Sequence, residues 1–431
     1  MPASSDTRIL ITGTGAICAA GQTPAAVWQA VCRGYSALGP ITRWDAQSWA
    51  PLLVGEVKGV EASQFVPDRK LHKLVRRTDL LGLYAATAAL SAAGVPAERQ
   101  GLSVDAAAAY NEGSGVFVGA DGGAYENQYD FLPLLARAAG SLQAFGNELT
   151  QMVHPMWLLR SLPNNVLCHV GIMQGFKGAN ACIANHSASG ALALVEAAAA
   201  LRAAEVDRAV VVAHQAPIEP ERLRYYDAIG LLTTDAVRPF DAGRSGCALG
   251  EGAAALMLAT GAAARTGTVP PLGEYLGGAC VTEGEGLFDV RDDGDGVARA
   301  IALALTDADL TPEDVGFIVA HGNATTHGDA AEVAGLLRVF GDNLPPVTAF
   351  KWSFGHCLAA AGLLDAVLAL SASAAGTVPG VASLRGCPAD WETLTVSPHS
   401  QRPRNDVALV ISRGFAGINV AFLLRALPGH S

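Results

Sequence analysis

Gly178-Ala-Asn-Ala-Cys-Ile-Ala-Asn-His-Ser-Ala-Ser-Gly-Ala191 reads as a short buried strand that turns sharply into a long alanine-rich helix. A nucleophile fits at such a turn, where backbone N–H groups at the helix start favour negative charge. Two candidates lie five residues apart, Cys182 and Ser187. The helix that follows, from Ala188 to Glu205, carries charges only at Glu196, Arg202 and Glu205, which predicts burial on nearly every side. Beyond it, Arg208-Ala-Val-Val-Val-Ala-His214 is a continuous apolar run of the kind found inside parallel or mixed sheets.

Working outward, Arg8-Ile-Leu-Ile-Thr-Gly-Thr-Gly15 predicts a β-rich run ending in glycines, followed by a helix around Ala25 to Cys32. Gly13 and Gly15 lack a third glycine at the dinucleotide spacing, so they read as a tight strand-to-loop turn. A helix is expected from Thr78 to Ala93, a strand over Gly115–Gly119, and a loop with surface helices from Asp121 onward. The glycine-punctuated stretch Arg238–Gly252 feeds another strand, and a composition shift at Thr260–Pro271 marks a join between halves 1–262 and 263–431. The second half repeats the outline: helix Gly296–Thr306, strand Gly316–Ala320, helix Ala330–Phe340, strand Pro346–Lys351, helix Leu358–Ala372, then strands Asp406–Ser412 and Val420–Leu424. Alternation of this kind gives layered α/β architecture.

Composition narrows the function. Of 431 residues, 50% are hydrophobic and 16% charged, which suits two fused units with large cores and excludes a disordered chain. A net charge of −11 argues against a nucleic-acid surface. Arg69, Lys70, Lys73, Arg76 and Arg77 form the densest basic cluster, either a patch for an acidic partner or a solvated helix face. The eight cysteines show no C-x-x-C pair and read as reduced, mostly buried thiols, neither a disulfide frame nor a metal site. The polar N-terminus lacks the apolar core of a signal peptide, and Glu196, Arg202 and Asp365 interrupt the apolar runs that come nearest to a membrane span. A cytoplasmic protein without a membrane anchor is the expectation.

Separated motifs in a fixed order resemble the β-ketoacyl-acyl carrier protein synthases of the elongating type over nearly the whole chain. They are the opening strand at Arg8; Gly55-Glu-Val through Arg76-Arg-Thr-Asp79; Leu162-Pro-Asn-Asn with Gly175-Phe-Lys-Gly178; and Arg238-Pro-Phe-Asp with Gly250-Glu-Gly. The C-terminal half adds His321-Gly-x-x-Thr-x-x-Gly-Asp329, Lys351-x-x-x-Gly-His356 and Gly414-Phe-x-Gly-x-Asn419. The resemblance implies a thiolase-like α/β fold of five alternating α-β-α-β-α layers, pseudo-twofold halves, and a homodimer or a heterodimer with a related synthase, built across the first half. It also implies an acyl carrier protein partner and no cofactor beyond the phosphopantetheine arm of that carrier or of coenzyme A.

Ungapped counting from Lys177-Gly178 to Glu205-Val-Asp207 places the family's nucleophilic cysteine at Ser187, leaving Cys182 within the strand. A serine hydroxyl is several units less acidic than a thiol and needs a general base, for which His321 and His356 are the available groups. The resemblance makes these histidines donors to the extender's thioester carbonyl, supported by Lys351, with Glu332 as the lysine's acidic partner. Phe415 matches a gating aromatic. Arg413 replaces a second aromatic, either facing a substrate carboxylate or paired with a nearby acid. Thr325 keeps one hydroxyl that holds the pantetheine arm, and Asn323 replaces the other. His327 reads as structural, His214 and Gln215 as narrowing the pocket floor, and His169 as near the site but outside the catalytic set.

Three functions follow from these residues: acyl transfer through Ser187, decarboxylation of a malonyl unit without an acyl-serine, or a non-condensing, chain-length-factor-like partner of a Cys-containing synthase. A purely structural or binding subunit is the alternative outside enzymology.

Overall fold

A computed structural model of the chain describes residues 7–49, 52–61, 64–66, 69–122 and 128–428. Part of the expected insertion after Asp121, residues 123–127, lies outside the described residues. The strands are β1 (Ile9–Cys18), β2 (Gly39–Pro40), β3 (Leu53–Val54), β4 (Ser114–Ala120), β5 (Asn180–Ala184), β6 (Arg208–Gln215), β7 (Gly252–Thr260), β8 (Gly273–Thr282), β9 (Phe317–Val319), β10 (Val347–Thr348), β11 (Val407–Gly414) and β12 (Ile418–Ala426). β2 and β3 pair only with each other, and the other ten form one sheet in the order β10-β9-β11-β12-β8-β1-β7-β6-β4-β5.

That order is the same five-strand arrangement written twice. From the seam outward, β1-β7-β6-β4-β5 and β8-β12-β11-β9-β10 visit equivalent strands, with two antiparallel neighbours followed by two parallel ones in each half. The halves meet where β1 runs antiparallel to β8 over Ile9–Ile11 and Gly273–Tyr275. Helices Ser189–Arg202 and Ala361–Ala375 pack on each other and between the two half-sheets. Helix Arg77–Ala92 covers β1, β7 and β6 on one outer face, and helix Asp295–Asp307 covers β8 and β12 on the other. Five layers result, as expected of the thiolase-like fold.

The central layer explains why these sequences are so apolar. Nine residues of Ser189–Arg202 are buried, with Glu196, Ala199 and Arg202 on the exposed stripe. Every residue from Ala361 to Leu370 is buried. By length and composition Leu358–Ala375 qualifies as a membrane span, contrary to the sequence expectation, because Asp365 alone does not interrupt it; in the fold 83% of it is buried inside the protein.

Two other expectations are corrected. Gly13 and Gly15 do not end a strand; they lie within β1, facing helix Arg77–Ala92. A Cβ on Gly13 would lie 2.7 Å from the Ala93 nitrogen, and one on Gly15 would meet Ala88 Cβ at 3.0 Å and the Ala85 carbonyl oxygen closer still. The glycines therefore set how closely helix and strand pack, not a turn. All eight cysteines are free, but only Cys18, Cys247 and Cys357 are buried.

Candidate active site

β5 ends at Ala184, and the chain turns through a 3-10 turn, His186–Ala188, into helix Ser189–Arg202. Ser189 fastens the turn: its hydroxyl accepts from the Asn185 N–H at 2.8 Å and donates to the His186 carbonyl at 2.7 Å. His186 takes a left-handed φ of 50°, a conformation that a residue with a Cβ holds only where its surroundings impose it. Gly190 allows the approach, since a Cβ there would lie 2.6 Å from both Ala213 Cβ and the Ala359 carbonyl. The second half repeats the device, with Leu358 at a φ of 43° entering the 3-10 turn Leu358–Ala360 before helix Ala361–Ala375. The two turns place Ser187 and His356 side by side.

Ser187 is 2% exposed, and its Oγ lies 2.9 Å from His186 Nδ1 and 3.2 Å from His356 Nε2. Backbone contacts fix which nitrogens carry protons. The Leu358 N–H donates to His356 Nδ1 at 3.2 Å, and the Arg413 N–H donates to His321 Nδ1 at 3.3 Å. Each Nδ1 is thereby an acceptor, so each neutral ring carries its proton on Nε2. Burial, with the Lys351 charge adding to it, holds both histidines well below the ordinary histidine range and keeps them neutral. His356 is consequently a donor to Ser187 Oγ, not its base. This corrects the expectation that His321 and His356 are the available bases.

The lysine's partner is also corrected. Lys351 Nζ, 1% exposed, donates to Asp365 Oδ2 at 3.1 Å, and burial raises the Asp365 carboxyl to about 6 against the pull of Lys351. Glu332 has a different task, because its oxygens accept from the His321 N–H at 2.7 Å and the Gly322 N–H at 2.9 Å. Asp329 does the same for the neighbouring turns, accepting from the Phe240 N–H at 2.7 Å and the Ala324 N–H at 3.1 Å. Both of those residues are left-handed, with φ of 64° and 65°. Two buried carboxyls thus hold the His321 loop in a strained shape.

Ser187, His186, His321 and His356 line one cavity of about 550 Å³, together with Phe415, Arg413, Asn323 and Thr325. Phe415 stacks on His186 with ring centres 4.4 Å apart and meets Phe288 edge-on at 5.4 Å. Thr325 donates its hydroxyl to Asn323 Oδ1 at 2.7 Å. Arg413 is engaged by the protein: Nε donates to Asn419 Oδ1 at 2.9 Å, an NH group donates to the Gly328 carbonyl at 2.6 Å, and Glu283 lies 3.6 Å away. Of the two readings of Arg413, pairing with a nearby acid is the one observed.

Several side chains fall elsewhere. His214 and Gln215 do not floor this cavity; they face a separate small polar pocket with Asp121 and Arg222. His214 Nδ1 lies 3.0 Å from Thr78 Oγ1. His169 is buried in helix Asn165–Gln174, outside the cavity lining. His327 is exposed and lines the cavity. Cys182 lies within β5, and burial raises its thiol to about 11, an unreactive state. In the basic cluster, Arg76 is buried at Asp79 and Arg77 pairs with buried Glu251, leaving Arg69, Lys70 and Lys73 exposed.

Sequence reasoning missed His186 and Tyr226. The His186 ring bridges Ser187 Oγ and the Tyr226 hydroxyl, which hydrogen-bonds His186 Nε2. The signal was present as a histidine directly before the serine. Tyr226, in helix Pro220–Ala228, is far from both in the chain.

The pattern described as Beta-ketoacyl synthase, N-terminal domain, matches residues 6–264, and Beta-ketoacyl synthase, C-terminal domain, matches residues 272–385. The chain is 29% identical over 423 residues to the chloroplastic 3-oxoacyl-[acyl-carrier-protein] synthase I of Hordeum vulgare, covering 96% of this chain and 87% of that protein. It superposes on the ishigamide ketosynthase/chain length factor with a TM-score of 0.86 and 26% identity, covering 97% and 99% of the two chains. A type II PKS acyl-carrier protein in complex with its ketosynthase gives a TM-score of 0.82 at 23% identity, covering 97% of this chain and 99% of that one.

Proposed function

This chain belongs to the β-ketoacyl synthase family, and on that premise we propose that it is a ketosynthase-like acyltransferase in which Ser187 takes the role of the family's cysteine. One observation carries this reading. Ser187 Oγ is buried at the cavity floor within hydrogen-bond reach of two imidazoles, His186 Nδ1 and His356 Nε2. A structural serine has no need of that setting, and a nucleophilic one does.

The acyl group would arrive as a thioester of an acyl carrier protein or coenzyme A, in fatty acid, polyketide or related metabolism in the cytoplasm. Asn323, Thr325 and Phe415 along the cavity suit the arm that delivers it. The Nε2–H groups of His321 and His356 are donors for a carbonyl oxygen that gains charge as the reaction proceeds. Their ring centres are 5.1 Å apart. Lys351 with Asp365, and Glu332 through the loop backbone, are positioning residues for these rings.

A second reading rests on the same pair of donors. Two neutral N–H groups on one carbonyl suffice to stabilise the enolate left by decarboxylation of a malonyl thioester, with no acyl-serine. In either case the chain would work beside a second copy or a related, Cys-containing synthase. The end of the sheet supports such pairing: β5 is its outermost strand, and the chain connecting β4 to β5 exposes Leu132, Leu135, Leu158 and Ile172.

Intact-mass spectrometry after incubation with acetyl and malonyl carrier proteins separates the readings. An acyl adduct present in wild type and absent in Ser187→Ala is expected. Malonyl consumption without an adduct would favour decarboxylation, and silence in both assays would sink the catalytic proposals.

A further inference from the structure

His186 is engaged on three sides. Its Nδ1 is 2.9 Å from Ser187 Oγ, its Nε2 is hydrogen-bonded to the Tyr226 hydroxyl, and Phe415 stacks on its face. The serine's other neighbour, His356, is locked as a donor by the Leu358 N–H. With one neighbour donating to Oγ, the other ring is the acceptor that the described residues offer to the serine proton. His186 then carries its own proton on Nε2 and gives it to the Tyr226 oxygen.

From this asymmetry we propose that His186, positioned by Tyr226, is the general base of Ser187, and that the acyl acceptor is a nucleophile bearing an O–H or N–H proton. The inference rests on Ser187 being the acyl-carrying residue and adds the group that activates it and the class of acceptor. In the first step the Oγ–C bond forms as the serine proton passes to His186 Nδ1; the C–S bond then breaks and the thiolate takes that proton. In the second step the acceptor gives its proton to His186 Nδ1 as its oxygen or nitrogen bonds the acyl carbon. The Oγ–C bond breaks and the proton returns to Ser187. A carbanion acceptor has no proton to give, so in the second step, unlike the first, the base has a task only with a proton-bearing acceptor. The left-handed backbone of His186 is the cost of aiming its ring at the next residue.

A fluorophosphonate probe, read by intact mass, tests the base without reference to the natural substrate. Wild type should be labelled on Ser187. His186→Ala should slow labelling by on the order of 10² or more, the usual contribution of a positioned base. Free imidazole, entering the space left by the ring, should restore part of the rate, which also shows that the variant is folded. Tyr226→Phe should give an intermediate rate, and His356→Ala, which removes a donor and not the base, a smaller loss than His186→Ala. Equal labelling of wild type and His186→Ala, or a larger loss in His356→Ala, overturns the assignment. Acetyl-Ser187 formed from p-nitrophenyl acetate should pass its acetyl group to ethanolamine; discharge to malonyl coenzyme A alone overturns the acceptor class. Probe labelling with no adduct from carrier-protein thioesters would refute the proposed function and leave the base assignment standing.

Discussion

Ser187 Oγ lies between two ring nitrogens that are chemically unlike, because a backbone N–H occupies Nδ1 of His356 and, among the described residues, no backbone N–H does the same at His186. The proposed base must be neutral to accept a proton. Burial lowers the His186 pKa to about 4, with Arg222 pushing it down and Asp121 pulling it up. The sign follows directly: below that pH the ring is charged and closed to the serine proton, and above it the ring is free. Probe labelling of Ser187 should therefore hold level from pH 8 to about 5.5 and fall by half near pH 4. A fall centred on the ordinary histidine pKa of about 6.5 would refute a buried His186 base. That Ser187, His321, His356 and Phe415 come to one cavity was legible because each sits in a short motif whose spacing survives outside the fold. The roles of His356 and Glu332 were not, because both depend on which backbone N–H groups the loops bring to them.

At the scale of elements, β1 and helix Arg77–Ala92 show how a strand can be read correctly and its glycines wrongly. The apolar run at Ile9 signals a strand, but nothing local says that a helix crosses at Gly13 and Gly15. Overpacking there is expected to be costly: Gly15→Ala should destabilise the protein by about 1–3 kcal/mol, seen as a lower melting midpoint. Gly101→Ala, with nothing within 4 Å of the added carbon, should leave the midpoint close to wild type and serves as the control. Equal midpoints for the two variants would mean that the helix shifts without penalty. Gly190 and Gly362 work in the same way at the central helices, where a Cβ on Gly362 would lie 3.0 Å from Ala191 Cβ. These contacts bring the two 3-10 turns, and hence Ser187 and His356, into one site.

At the scale of the whole molecule, the doubled strand order puts one 3-10 turn at the start of each central helix, and the two turns pack against each other. The far end of the sheet is β5, and the proposed pairing of chains belongs there. Light scattering should give the mass of two chains for the wild type. Ile172→Asp combined with Leu135→Asp, which places charge on two exposed apolar positions of the β4–β5 connection, should give one chain. A wild-type monomer, or a double variant that remains paired, would count against an interface on this connection.

The sequence alone determined the layered α/β class, the repeat of its outline, the family and the position of Ser187, since hydrophobic period and motif spacing are local and additive. Tertiary structure alone decided which imidazole is the proposed acceptor of the serine's proton. That choice depends on the N–H of Leu358, the hydroxyl of Tyr226 and the carboxylate of Asp365, groups distant in the chain from the side chains they orient or balance, or not visible as side chains at all. The conspicuous strand-to-helix turn thus reads as a nucleophile's seat in the sequence, and becomes a Ser–His–Tyr arrangement only in the fold.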